Sequence, residues 1–163
     1  MCIRDSYLSV WLGGMLIILV SSCTDPRAIL DENTRIDNRN WAYVNKVKYD
    51  VAIEDSTIAY NLYLNLRVTA EYKYSNLFVL IGEGLSGNPK LHFTRYEFKL
   101  ANPDGEWLGK GSGNLYSYQI PFKTHYRFAH KGTYHFEIEQ NMRNNPLHEV
   151  SDVGIRIEKA EAQ

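Results

Sequence analysis

Cys23 is the residue with the clearest chemistry. It closes Val20-Ser21-Ser22-Cys23, directly after the one long apolar run, Leu8 to Val20. A short apolar stretch, small residues and then a cysteine form the pattern cut by a lipoprotein signal peptidase. Cleavage before Cys23 would leave its thiol to carry diacylglycerol and its new amine to be acylated. The run is shorter than the roughly 20 apolar residues that a spanning helix needs. Two or three acyl chains anchor a protein stably, each buried methylene contributing about 0.8 kcal/mol.

The other reactive residue types lack the spacing their chemistry requires. The histidines, His92, His125, His130, His135 and His148, include no H-x-H pair and no HExxH. His130 and His135 straddle a turn at Gly132, and two ligands without a third nearby make a poor zinc site. Gly105-Glu106-Trp107-Leu108-Gly109-Lys110-Gly111 has the look of a phosphate loop. It has the wrong glycine spacing, lacks Ser or Thr after the lysine, and no helix follows it. Gly111-Ser112-Gly113 lacks the spacing of a nucleophile elbow. The carboxylates read as solvated strand faces, and no catalytic residue and no cofactor are expected. Trp41, Trp107 and the tyrosines suit packing at core and edge better than a sugar-stacking platform.

One polar set remains. Asn65 and Arg67 lie opposite Leu64 and Leu66 on their strand. Glu139, Gln140 and Arg143 close another strand, and Asp152, Arg156 and Glu158 mark the last one. Opposed charges on neighbouring strands would fix register. With Asp104 and Trp107 from the glycine-rich loop, Asn65, Arg67, Glu139 and Arg143 are the candidates for structural or partner-binding roles.

These side chains need elements to hold them, and the elements are strands. Val47, Tyr49, Val51 and Ile53 alternate with polar neighbours. So do Leu62 to Val68, Tyr96 to Leu100, Tyr134 to Ile138 and Val153 to Ile157. Each predicts a strand with one face in a core. Leu77-Phe78-Val79-Leu80-Ile81 is apolar throughout and predicts a central strand covered on both faces. Tyr116–Phe122 and His125–Phe128 add two shorter strands around Pro121. Turns fall at Gly84–Pro89, Asn102–Gly105, Lys131-Gly132 and Asn144–Pro146, Pro and Gly supplying the required φ. About eight strands in one domain predict an all-β, antiparallel β-sandwich, jelly-roll or Ig-like.

The expected organisation is a signal peptide over 1–22, a lipidated Cys23 with a polar tether to residue 40, and the sandwich over 41–160. Met1-Cys2-Ile3-Arg4-Asp5-Ser6 has a single basic residue, poor for a signal peptide's start. It back-translates to a codon run resembling a transposon-end adapter, so residues 1–6 are expected to be an assembly scar. The 163-residue chain carries a net charge of −1 with no basic run, which argues against nucleic acid as a partner. Its only cysteines are Cys2 and Cys23, so the domain must hold without disulfides. The 12 Tyr, 3 Trp and 6 Phe supply much of the core instead.

Five blocks carry a resemblance across the domain. They are Tyr60-Asn61-Leu62 with Asn65-Leu66-Arg67, Tyr72–Phe78, Pro103–Gly111, Ile138–Arg143 and Val153–Lys159. In this order, behind the Cys23 signal, they are similar to the gliding-motility lipoprotein GldH family of the Bacteroidetes. The resemblance implies a non-enzymatic cell-envelope lipoprotein needed for gliding, a process coupled in that phylum to type 9 secretion. It implies protein partners, membrane attachment through the N-terminal lipid, and no small-molecule substrate. Thr24 rather than Asp follows the cysteine, which by similarity to other lipoproteins permits export to the outer membrane, with the periplasmic face expected. A second reading is a carbohydrate-binding sandwich of glycan uptake; a row of exposed aromatics on one sheet face would favour it.

Overall fold

The alternation read along the chain reappears as burial. In β3 (Val47–Ile53) the four predicted residues are buried and the three between them are exposed. The structure, a computed structural model, describes residues 25–88, 90–111 and 113–161. Cys23 and the segments 1–6 and 1–22 lie outside the described residues. Before β3 come β1 (Ala28–Arg35), a 3-10 turn at Asp37–Arg39 and the short β2 (Asn40–Trp41). After it follow β4 (Tyr60–Thr69), β5 (Asn76–Leu85), β6 (His92–Lys99), β7 (Leu115–Tyr126), β8 (Gly132–Gln140), β9 (Leu147–His148) and β10 (Val150–Lys159). Among the described residues, no helix is long and apolar enough to cross a membrane.

The long strands form two four-stranded antiparallel sheets, β1-β10-β4-β7 and β3-β8-β5-β6; β2 and β9 pair separately. Setting aside that short pair, the pairing is nested. The first strand joins the last (β1 with β10), then β3 joins β8, β4 joins β7 and β5 joins β6. A long hairpin rolled until β10 meets β4 and β8 meets β5 gives this order. Of the two sandwich connections that the sequence left open, this is the jelly roll.

Leu62, Leu64 and Leu66 of β4, Val153, Ile155 and Ile157 of β10, and Phe136 and Ile138 of β8 fill the space between the sheets. Each such side chain, fully buried, stabilises the fold by about 1.5–3 kcal/mol. Aromatic rings close one end, where Phe128 packs against Tyr60, Tyr126 and Tyr134 at centroid distances of 5.4, 5.0 and 4.6 Å.

Three elements differ from the sequence reading. The stretch expected as a tether contains β1, hydrogen-bonded along β10. Its polar appearance is that of an edge strand: Asp31, Asn33 and Arg35 are exposed while Ile29 and Leu30 pack on the core. The two short strands around Pro121 are one strand, β7. It lies at a sheet edge, and its register against β4 shifts beside Pro121, so the missing N–H is tolerated. β5 is central, but its outer face is only half-covered. There the guanidinium of Arg95 sits 4.0 Å above the Phe78 ring.

Candidate functional site

Strand order decides which polar side chains meet. On the outer face of the β1-β10-β4-β7 sheet, register lays Asp31, Arg156, Tyr63 and Pro121 in one row. The next row is Asn33, Gly154, Asn65 and Gln119. Arg35, Asp152, Arg67 and Ser117 follow, and Lys110 continues that row by pairing with Ser117.

The rows are knitted by hydrogen bonds. Asn65 Nδ2 donates to Asp31 Oδ1 at 2.8 Å, and Asn65 Oδ1 accepts from Gln119 Nε2 at 3.0 Å. Arg67 Nε and Nη2 each lie 2.8 Å from Asp152 Oδ2. Arg156 donates to Glu158 at 2.7 Å, to Asp31 at 2.8 Å and to Asp25 at 2.5 Å. Burial would lower the basicity of Arg156, but these three carboxylates hold it above its ordinary value. The hydrogen bond to Asp152 likewise raises Arg67 against a smaller opposing effect of burial. Burial would raise Glu158, yet hydrogen bonds from Arg156 and Tyr63 outweigh it and keep the carboxyl below its ordinary range.

Beside this network the face opens into a groove of about 810 Å³. Asn33, Asn65, Arg67 and Gln119 form its floor, with Asp31, already paired with Arg156, at its margin, and Lys99, Leu108 and Lys110 its wall. Lys99 ends β6, while Leu108 and Lys110 belong to the glycine-rich loop, whose glycines are required by close approach. A Cβ on Gly109 would fall 2.6 Å from the Tyr118 ring, and one on Gly111 would fall 2.1 Å from the Leu115 carbonyl oxygen. The loop is thereby laid against the edge of β7, where Lys110 and Ser117 exchange two backbone hydrogen bonds of 2.8 Å.

The sequence candidates separate accordingly. Asn65 and Arg67 lie on the groove floor. Asp104 caps the tip of the Asn102–Gly105 turn, accepting from the Glu106 N–H at 3.3 Å. Trp107 is half-buried, its indole stacked on Tyr116 at 5.2 Å, so the apolar loop residue that reaches the groove, beside Lys110, is Leu108, 48% exposed. Glu139 and Arg143 are not part of this face. Glu139 lies on the other sheet, 3.1 Å from Lys46 Nζ, and Arg143 is exposed in the turn after β8. That turn is organised by buried Gln140, which donates to the Asn144 carbonyl at 3.1 Å and accepts from the Met142 N–H at 2.8 Å. Asp31, Asn33, Lys99 and Gln119 were not singled out in the sequence, because only strand order brings them beside Asn65, and Asp25 was not expected as a partner of Arg156. Among the described residues, no three of His, Cys, Asp and Glu converge as a metal set would.

The sequence model of one family, described as GldH lipoprotein, matches residues 28–157. That range runs from the first residue of β1 almost to the end of β10.

The chain belongs to the GldH lipoprotein family.

Among its relatives is a gliding motility lipoprotein GldH homolog of Christiangramia forsetii. It is 36% identical, over 96% of this chain and 98% of that protein. The gliding motility lipoprotein GldH of Flavobacterium johnsoniae is 33% identical, over 90% of this chain and 96% of that protein. No solved structure matches the chain. The matched range includes the three rows of this face, β1 with Asp31 and Asn33 among them; Asp25 and Glu158 fall just outside it.

Proposed function

We propose that this GldH family member is a non-enzymatic, lipid-anchored accessory component of the gliding and type 9 secretion machinery, and that it binds a protein partner in the groove beside Asn65 and Arg67. Family membership supports a role in gliding. The observation that carries the binding site is the make-up of the groove. Its floor presents amides and a half-exposed guanidinium in fixed positions, and its wall offers two lysines around one exposed leucine. Such a surface matches a polypeptide segment with acidic side chains and one apolar anchor. Acylated Cys23 would hold the protein at the outer membrane, facing the periplasm.

The glycan-binding alternative fits the geometry less well. Trp41 is buried, with its Nε1 donating to the Asn45 carbonyl at 2.9 Å. Trp107 is spent on Tyr116. Among the described residues, Phe93 is the one exposed Phe, Tyr or Trp, at 42%. A stacking platform needs a row of them.

The test is complementation of Flavobacterium johnsoniae deleted for its own relative, using this chain and its Cys23→Ala form. Restored spreading that is lost in Cys23→Ala supports a membrane-tethered motility component. No rescue by a stable, acylated protein overturns the assignment.

A further inference from the structure

We infer that the end of the jelly roll bearing the start of β1 and the end of β10 is seated directly on lipid headgroups, held by a latch between Asp25 and Arg156. The inference rests on the reading that Cys23 is acylated.

Register defines this end. Ala28 pairs with Glu158, Tyr60 with Tyr126, and Ile53 with Gly132. Leu85 pairs with Tyr134, so the β3–β4, β5–β6 and β7–β8 loops and both chain ends of the folded domain lie together. Asp25 is fixed there twice: Oδ2 accepts from Arg156 Nη2 at 2.5 Å, and Oδ1 accepts from the Arg27 N–H at 3.0 Å. Arg156 is itself held by Asp31 and Glu158, so the latch joins the knitted face.

Cys23 precedes Asp25 by two residues. A fully extended chain advances at most about 3.3–3.6 Å per residue, so the acylated residue lies within roughly 7 Å of a fixed point on the domain. A flexible tether reaching to residue 40, as the sequence suggested, would let the domain swing tens of ångströms clear, on the order of 5–6 Å × √n. The distance left to this chain keeps its base in the headgroup layer.

Charge at this end agrees with that placement. Lys90, Arg127, Lys131 and Lys159 are exposed, and among the described residues none has an ion-pair partner. Two acids here are paired with arginines, Asp25 with Arg156 and Glu161 with Arg27 at 2.7 Å; Asp55 bonds only the uncharged Thr57 and Glu54 is exposed, so two carboxylates stand against the four cations. Unpaired cations favour an anionic surface within a Debye length. β4 then runs away from the bilayer, and Arg67, whose row Lys110 continues, is seven residues beyond Tyr60; at about 3.3 Å each this puts the Lys110 wall on the order of 20 Å above the membrane.

The experiment uses the full chain, processed and acylated in cells, then reconstituted in phosphatidylethanolamine–phosphatidylglycerol vesicles. Acylation occupies Cys23, and Cys2 leaves with the signal, so Lys131→Cys and Asp104→Cys each offer one thiol for a fluorophore. A quencher carried on lipid headgroups is expected to quench the label at position 131 several-fold more than the label at 104. Asp25→Ala is expected to narrow that ratio. Equal quenching at the two positions in acylated protein overturns the seating and leaves the lipoprotein reading standing. Mass spectrometry showing unmodified Cys23 overturns both.

Discussion

The side chain of Asn33 occupies the space above Gly154. A Cβ built on Gly154 would fall 2.3 Å from Asn33 Oδ1 and 2.2 Å from the Glu32 carbonyl oxygen. Gly154 faces Asn33 across the β1–β10 pair and Asn65 across the β10–β4 pair, so the two outer strands meet over a residue without a side chain. Gly154→Ala would push β1 away and strand the Asp31–Asn65 hydrogen bond. The expected loss is about 1–3 kcal/mol, in the range of overpacking a tight site. Urea unfolding measures it; an unchanged midpoint would show that β1 yields without cost.

Arg67 and Asp152 face each other in register, but their exposures differ. The Asp152 side chain is 9% exposed and that of Arg67 48%. Arg67→Met leaves a nearly buried carboxylate without its donor, which costs more than the pair itself contributes. Half-exposed Arg67 admits water on its removal, which limits the loss to about 1–3 kcal/mol. Asp152→Asn in the same background should recover part of that loss. A double-mutant cycle reads the coupling, and strictly additive effects would mean that the pair sets no register.

Strand identity was legible because the inward residues are apolar at a period of two, as in Val47–Ile53 and Tyr134–Ile138. β1 was missed for a physical reason. An edge strand needs only one apolar side and half of its backbone bonds, so Leu30-Asp31-Glu32-Asn33-Thr34 reads as a loop. Asn65 and Arg67 stood out because they alternate with Leu64 and Leu66, which puts both on the polar side of one strand. Their partners Asp31 and Gln119 did not, since pairing across the sheet depends on the roll of the chain rather than on any local pattern. Glu139 and Arg143 stood beside them in the sequence reading, yet β8 belongs to the other sheet.

Acid should loosen both sheets. Burial would raise Glu158 and Glu137, but hydrogen bonds from Arg156 to the first and Lys48 to the second leave both below their ordinary value of 4.5. In this window the unfolded chain binds more protons than the folded one. The stabilisation is therefore complete above pH 4.5 and is lost as pH falls through the lowered folded values. Glu158→Gln removes one such proton site while keeping an acceptor for Tyr63. The variant should start less stable at neutral pH and decline less steeply from about pH 5 to 3. Parallel decline of the two proteins, followed by urea midpoints across that range, would remove Glu158 from the acid response.

The groove can be tested without disturbing the fold, provided the right loop residue is changed. Trp107 is the wrong one. Its ring packs on Tyr116 and the core, so Trp107→Ala would lose on the order of 1–3 kcal/mol by burial alone and confuse stability with binding. Leu108 is exposed at 48%, and its backbone N–H, which bonds the Leu100 carbonyl at 2.9 Å, survives any side-chain change. Lys110 likewise is held through its backbone to Ser117. Leu108→Ala and Lys110→Glu should each shift stability by no more than about 0.5 kcal/mol. If an acidic segment with an apolar anchor docks here, Leu108→Ala weakens it by losing buried area, and Lys110→Glu by reversing a charge. Spreading of the complemented strain should fall in both and fall further in the double variant. Full spreading by a stable double variant would move the partner site off this groove.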